Sequence, residues 1–146
     1  MSIGRNSPLA ERIQHAEESL TLGVVLRCHA RFITPPKTKI FVDIGMDDNG
    51  EKAAVVLINS NPARMPDLAP YQMSITKEGR SYIQKDCFVD CSRIYVRPLD
   101  LLRGLITKSP NVVLGHVSPE DHWAMRKLAG NSEVILPSEK KLFHLK

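Results

Sequence analysis

Lys39-Ile40-Phe41-Val42-Asp43-Ile44, then Asp47-Asp48-Asn49-Gly50, then Ala53-Ala54-Val55-Val56-Leu57-Ile58-Asn59: these three stretches decide the fold. The first and last read as β-strands, and the Asp-Asp-Asn-Gly between them supplies hairpin-type turn residues. The six apolar residues 53–58 are the longest such run in the chain. Six residues make one buried strand and are too few to cross a bilayer.

Working outward, residues 22–29, 71–76, 87–91 and 94–97 have strand character, the last ended by Pro98. A short apolar run at 112–114 is closed by Gly115, and residues 101–107 read either way. Residues 61–70 carry Pro62, Pro66 and Pro70, which no helix or central strand tolerates, so a surface loop is expected there. Ser7-Pro8 opens a helix over 8–20, with Ser7 as cap and Leu9, Ile13, Ala16 and Leu20 on one stripe. Ser118-Pro119-Glu120-Asp121 opens another, with Trp123, Met125 and Leu128 as its apolar positions and Gly130-Asn131 as its end. A last short helix is expected over 138–145. The pattern predicts a mainly β domain: a small curled barrel with an N-terminal helix and a C-terminal helix at its flanks.

The chain has 146 residues, 42% of them apolar and 25% charged, enough for one domain with its own core. Twenty Lys and Arg against 16 Asp and Glu give a net charge of +4, which permits a polyanionic partner without requiring one. No apolar leader follows Met1, and the three cysteines, Cys28, Cys87 and Cys91, have no framework spacing. The expectation is a cytoplasmic protein with reduced thiols and no membrane association.

Most catalytic chemistries find no support in the residue spacing. Cys87 and Cys91 on one strand stand roughly 13 Å apart at about 3.3 Å per residue, too far for two zinc ligands. The five histidines form no ligand pair, and no glycine-rich phosphate loop exists, so no metal and no cofactor is expected. Asp43, Asp47, Asp48 and Glu51 lack calcium-loop spacing and read as a solvated turn. The loop over residues 31–39 is more informative. It holds Arg31, Lys37 and Lys39 with one aromatic, Phe32, and Arg64, Lys77, Arg80 and Lys85 add cations on later connectors. Gathered on one side, these would form a basic groove for a flexible single strand; spread out, they would be ordinary surface charge.

Four stretches resemble the MazF/PemK toxins of type II toxin–antitoxin systems, an SH3-like barrel family. Leu22-Gly23-Val24-Val25-Leu26-Arg27 resembles the family's opening strand. Ala54-Val55-Val56-Leu57-Ile58-Asn59-Ser60-Asn61 resembles the strand that ends in its hydroxyl-bearing segment. Cys87-Phe88-Val89-Asp90-Cys91-Ser92-Arg93-Ile94 resembles a later strand, and Gly115-His116-Val117-Ser118-Pro119-Glu120-Asp121 resembles the start of its C-terminal helix. The resemblance spans roughly residues 22–132. It implies an N-terminal helical extension over 1–21 and an SH3-like barrel domain with a C-terminal helix over 22–146.

The resemblance also implies a metal-independent endoribonuclease that cuts single-stranded RNA by attack of the ribose 2′-hydroxyl on the adjacent phosphate. Such a reaction needs proton transfer and stabilisation of a doubly charged phosphorane. Ser60 takes the hydroxyl position. The family's Arg-Pro before the second strand is absent, and Lys37-Thr38-Lys39 stands in its place, with Arg31 several residues earlier. Lys37, Lys39 and Arg31 are therefore the expected phosphate-gripping cations, and Phe32, Asn59, Asn61, Arg64, Lys77 and Arg80 the expected RNA contacts. Lysine is a point charge where arginine is a two-pronged fork. The exchange removes hydrogen bonds of about 1.5–3 kcal/mol each, which weakens or abolishes catalysis. The alternative is a non-catalytic SH3-like barrel that binds nucleic acid or a protein partner. A homodimer and an antitoxin protein are the further partners the resemblance implies.

Overall fold

The computed structural model describes residues 3–145. Its elements are α1 (Leu9–Ser19), β1 (Val24–Ala30), β2 (Lys37–Met46), β3 (Lys52–Asn59), β4 (Gln72–Ile75), β5 (Cys87–Pro98), α2 (Leu99–Lys108), β6 (Val113–His116), α3 (Pro119–Asn131) and α4 (Pro137–Leu142). The strands form one antiparallel sheet in the order β4-β5-β3-β2-β1-β6, curled into a half-barrel. The expected mainly β architecture with helices at both ends is what the chain adopts. Among the described residues no helix is long and apolar enough to cross a membrane.

The β2–β3 hairpin sits at the centre of the sheet. Its turn is held by Asp47, whose Oδ1 accepts hydrogen bonds from the backbone N–H groups of Glu51 (2.8 Å) and Lys52 (2.9 Å). Strand alternation then sorts side chains onto two apolar faces. Val25, Val42, Ile44, Val56, Ile58 and Val89 face α3, where Met125, Ile135 and Phe143 close the layer. Leu26, Phe41, Val55 and Leu57 face the opposite way, under Ala16 and Leu20 of α1 and Leu99, Leu102 and Ile106 of α2.

Several local expectations are corrected. Residues 94–97 are not a separate strand but the second half of β5. Val55 pairs with Tyr95 while Leu57 pairs with Asp90, so a bulge absorbs the intervening residues of β5. The polar residues at the bend are buried but satisfied: Asp90 Oδ1 accepts from the Gln72 amide and from Ser92. The ambiguous segment 101–107 is helical, because Leu99, Leu102 and Ile106 bury one stripe. Ser7 does not cap α1. Its hydroxyl accepts instead from the Gly4 N–H at 3.1 Å, and the helix begins after Pro8 without a side-chain cap. Only Ala16 and Leu20 of the α1 stripe are buried; Leu9 and Ile13 flank a shallow groove against α2 where Gly104 presents no side chain. Trp123 lies 63% exposed, with the Lys127 ammonium 4.8 Å from its ring centroid. It stands two positions from the buried Met125, which on a helix is nearly the opposite side.

The acidic turn is corrected as well. Asp48 is exposed and reaches His144 Nε2 at 2.7 Å, but Asp43 is only 1% exposed and belongs to β2. Its Oδ1 accepts from the Gly45 N–H at 3.0 Å, while Oδ2 has no partner among the described residues. Burial pushes the Asp43 carboxyl up to about 8, against the lowering pull of the Gly45 N–H and of Arg126.

Candidate functional site

The sheet does not close on itself. A cleft of about 640 Å³ opens between the β1–β6 side and the connector over residues 81–87. Arg27 and Leu114 line one wall, Ile40 and Ile58 the floor, and Asn59 and Ser60 the end of β3; Ser81, Tyr82, Ile83, Gln84, Lys85 and Cys87 form the opposite lip. Alternation explains the floor: Ile40, Ile58 and Val25 share a face, and Arg27, two residues beyond Val25, points the same way.

Charge in this cleft is one-sided. Its lining contains Arg27 and Lys85 but no Asp or Glu, and neither cation makes an ion pair or a side-chain hydrogen bond among the described residues. The Tyr82 side chain, in a residue only 7% exposed, leaves its hydroxyl without a hydrogen-bond partner. Burial, and then the Asp121 charge, raise its ionisation, so it stays a neutral phenol. Arg80 lies close by but directs its donors elsewhere: Nε and Nη2 to the two oxygens of Asp121 (2.8 and 3.0 Å), and Nη1 to the Thr76 carbonyl (3.0 Å).

That fork fastens the connector to α3. We expect Arg80→Ala to accelerate amide hydrogen exchange across residues 76–86, leave the β2–β3 hairpin unchanged, and cost about 1–2 kcal/mol of stability. Unchanged exchange in the connector refutes this assignment.

The expected site residues divide. Ser60 and Asn59 line the cleft. Lys39 does not: it shares the face of Phe41, across the sheet from Ile40, and donates its ammonium to Asn59 Oδ1. Partial burial, and then the Lys37 charge, hold Lys39 below its ordinary range. Lys37 and Arg31 are exposed but lie outside the cleft lining. Of the loop cations, Lys39 touches the cleft through Asn59, the neighbour of Ser60, and Lys37 and Arg31 line no part of it. Phe32 is not an open stacking platform. Its ring packs edge-on to Phe41 (centroids 5.9 Å), lies 5.2 Å from Tyr95, and carries the Arg97 guanidinium at 4.8 Å. Asn61, Arg64 and Lys77 are exposed and outside the lining, and Arg80 is held in its ion pair.

Arg27 and Tyr82 are the residues that sequence reasoning missed. The signal for Arg27 was present: a cation alternating with Val25 inside an otherwise apolar strand. Tyr82 carried none, because it lies on a connector whose path is set by Arg80 and Asp121. Cys87 lies in the cleft wall with its thiol pushed up by burial, and Cys91 behind it is pushed up to about 12 by burial and then by Asp90. Both stay protonated and are poor nucleophiles. Among the described residues no three His, Cys, Asp or Glu side chains gather as metal ligands would. Compared with protein-family models and with curated protein sequences, the chain matches none.

Proposed function

We propose that the cleft binds single-stranded RNA through its backbone phosphate, with Arg27 and Lys85 as the cations and Ser60 as a hydroxyl donor. The observation that carries this reading is a concave surface bearing two cations that are unpaired among the described residues, with Ser60 at its end and no carboxylate in its lining. An anion bound there pairs with both cations, and a flexible strand fits a cleft with an apolar floor of Ile40 and Ile58. Of the partners the resemblance implies, RNA is the one this surface supports; a second copy and an antitoxin rest on the resemblance alone, as does a cytoplasmic location.

Scission by 2′-hydroxyl attack is the second reading, favoured by Arg27 and Ser60 lying on the same cleft. In it the 2′-oxygen bonds to phosphorus, the 5′-oxygen leaves with a proton, and a 2′,3′-cyclic phosphate remains. The lining holds no imidazole or carboxylate to take the 2′-proton, which favours retention of RNA over its cleavage.

The test is a fluorescence-anisotropy titration of a labelled uridine octanucleotide in the presence of a chelator, followed by gel analysis of the RNA. Salt-sensitive binding of intact RNA is expected, with Ser60→Ala weakening it about two- to tenfold. Cleavage products ending in cyclic phosphate, lost in both Ser60→Ala and Arg27→Ala, establish the second reading. No binding at low salt overturns both.

A further inference from the structure

A second cleft, of about 440 Å³, is lined by Arg5, Arg27, Thr38, Ser109, Asn111, Val112 and Leu114. It shares Arg27 and Leu114 with the first, so the two clefts adjoin along the β1–β6 side. Its lining also lacks Asp and Glu, and Arg5 makes no ion pair among the described residues. We infer that the ligand of this protein is an oligonucleotide rather than a mononucleotide, and that the N-terminal arm supplies its second phosphate grip through Arg5, with Ser109 and Asn111 as neighbouring polar contacts. This rests on the RNA-binding reading above and extends it to the length of the bound strand.

Arg5 is not on a loose tail. It lies within a turn in which the Ser7 N–H donates to the Gly4 carbonyl and the Gly4 N–H donates to the Ser7 hydroxyl, both at 3.1 Å. Arg12 locks that turn to α2: its Nε donates to the Ser7 carbonyl (2.9 Å) and its Nη1 to the Thr107 carbonyl (3.0 Å). The same residues 107–112 carry Ser109 and Asn111 into the second cleft. The arm, the end of α2 and β1 are thereby held as one wall. The helical extension does not cover the first cleft; α1 packs on α2, on the opposite face of the sheet, and its leading arm lines the second cleft.

Arg27 stands where the two parts meet, so one phosphate held by Arg27 and Lys85 in the first cleft leaves Arg5 to serve a further phosphate of the strand. A ligand with a single phosphate reaches only one part. A longer strand engages both and gains the additional charge-assisted contacts.

The experiment compares a uridine dinucleotide, with its single phosphate, and a uridine octanucleotide on the full chain, by anisotropy and by amide chemical-shift mapping. The octanucleotide is expected to shift the amides of Ser109 and Asn111 as well as those around Ser60. Arg5→Ala should weaken it about three- to tenfold and lower the salt slope by about 0.7, with dinucleotide binding unchanged. Lys85→Ala should weaken both ligands. Arg5 is exposed and makes no side-chain bond among the described residues, so the variant folds as the parent does; its melting curve checks this. Octanucleotide binding that shifts only the Ser60 side, or that survives Arg5→Ala undiminished, overturns the second phosphate grip while leaving the RNA-binding reading intact. Failure of the unaltered protein to bind either ligand overturns that reading instead.

Discussion

Arg27→Ala should lose RNA affinity by about tenfold to more than a hundredfold with no change in melting temperature. The size follows from removing a charge-assisted hydrogen-bonding fork at the point shared by both clefts, about 1.5–3 kcal/mol. The unchanged stability follows from exposure: the Arg27 side chain forms no hydrogen bond or ion pair among the described residues, and its strand is held by the β1–β2 ladder around it. Arg27→Lys separates charge from geometry. It should keep the salt dependence and recover part of the affinity, because an ammonium restores the point charge but not the planar pair of donors. Titration of the three proteins across a salt series is the measurement. An alanine variant that binds as the parent does places the phosphate elsewhere.

The second large effect concerns stability. Asp43 sits on β2 beside the point where the β2–β3 register shifts between Asp43 and Gly45. Its carboxyl is raised from 3.8 to about 8 by burial. A raised acid binds its proton more tightly in the folded chain than in the unfolded one. Its contribution to stability therefore falls as pH rises from about 4 to about 8 and levels off above that. At neutral pH the cost is of order a few kcal/mol. Asp43→Asn removes the titration, keeps a carbonyl oxygen for the Gly45 N–H, and should be more stable than the parent at pH 8 by that order.

Neighbouring groups titrate in the same range. His122 is lowered by burial and then by Arg126, so it costs stability below its ordinary range. Arg126 donates to the carbonyls of Ile44, Phe143 and His144 and keeps its charge. The difference between parent and Asp43→Asn cancels these contributions, so urea denaturation of both proteins from pH 5 to pH 8 isolates Asp43. A gap that fails to widen with pH contradicts the assignment.

The sequence carried more of the fold than of the site. The hairpin was legible because residues 39–44 and 53–59 combine strand-forming runs with turn chemistry that allows one pairing. The start of α3 was legible because a cap, a proline and two acids agree, and the Ser118 hydroxyl does accept from the Asp121 N–H at 3.1 Å. The continuity of β5 was not legible, since what keeps its polar bend buried is Asp90 accepting both from Gln72 of another strand and from Ser92. The lining of the cleft was hard to read for a related reason. The resemblance, not the residues themselves, set Lys37 and Lys39 against Ser60. Side-chain parity decides the lining: Ile40 and Ile58 form the floor, while Lys39 shares the face of Phe41 and reaches the cleft through Asn59.

The lip formed by residues 81–86 carries no strand, and it is held by the Arg80–Asp121 fork, by the Lys77 N–H on Asp86 Oδ1 (2.9 Å), and by Tyr82 and Ile83, both buried in the core. Widening the aperture breaks no ladder of the sheet, but it lifts Tyr82 and Ile83 out of the core. The mouth is therefore bound to the scaffold by apolar side chains as well as by its clasp, and opening it costs their burial.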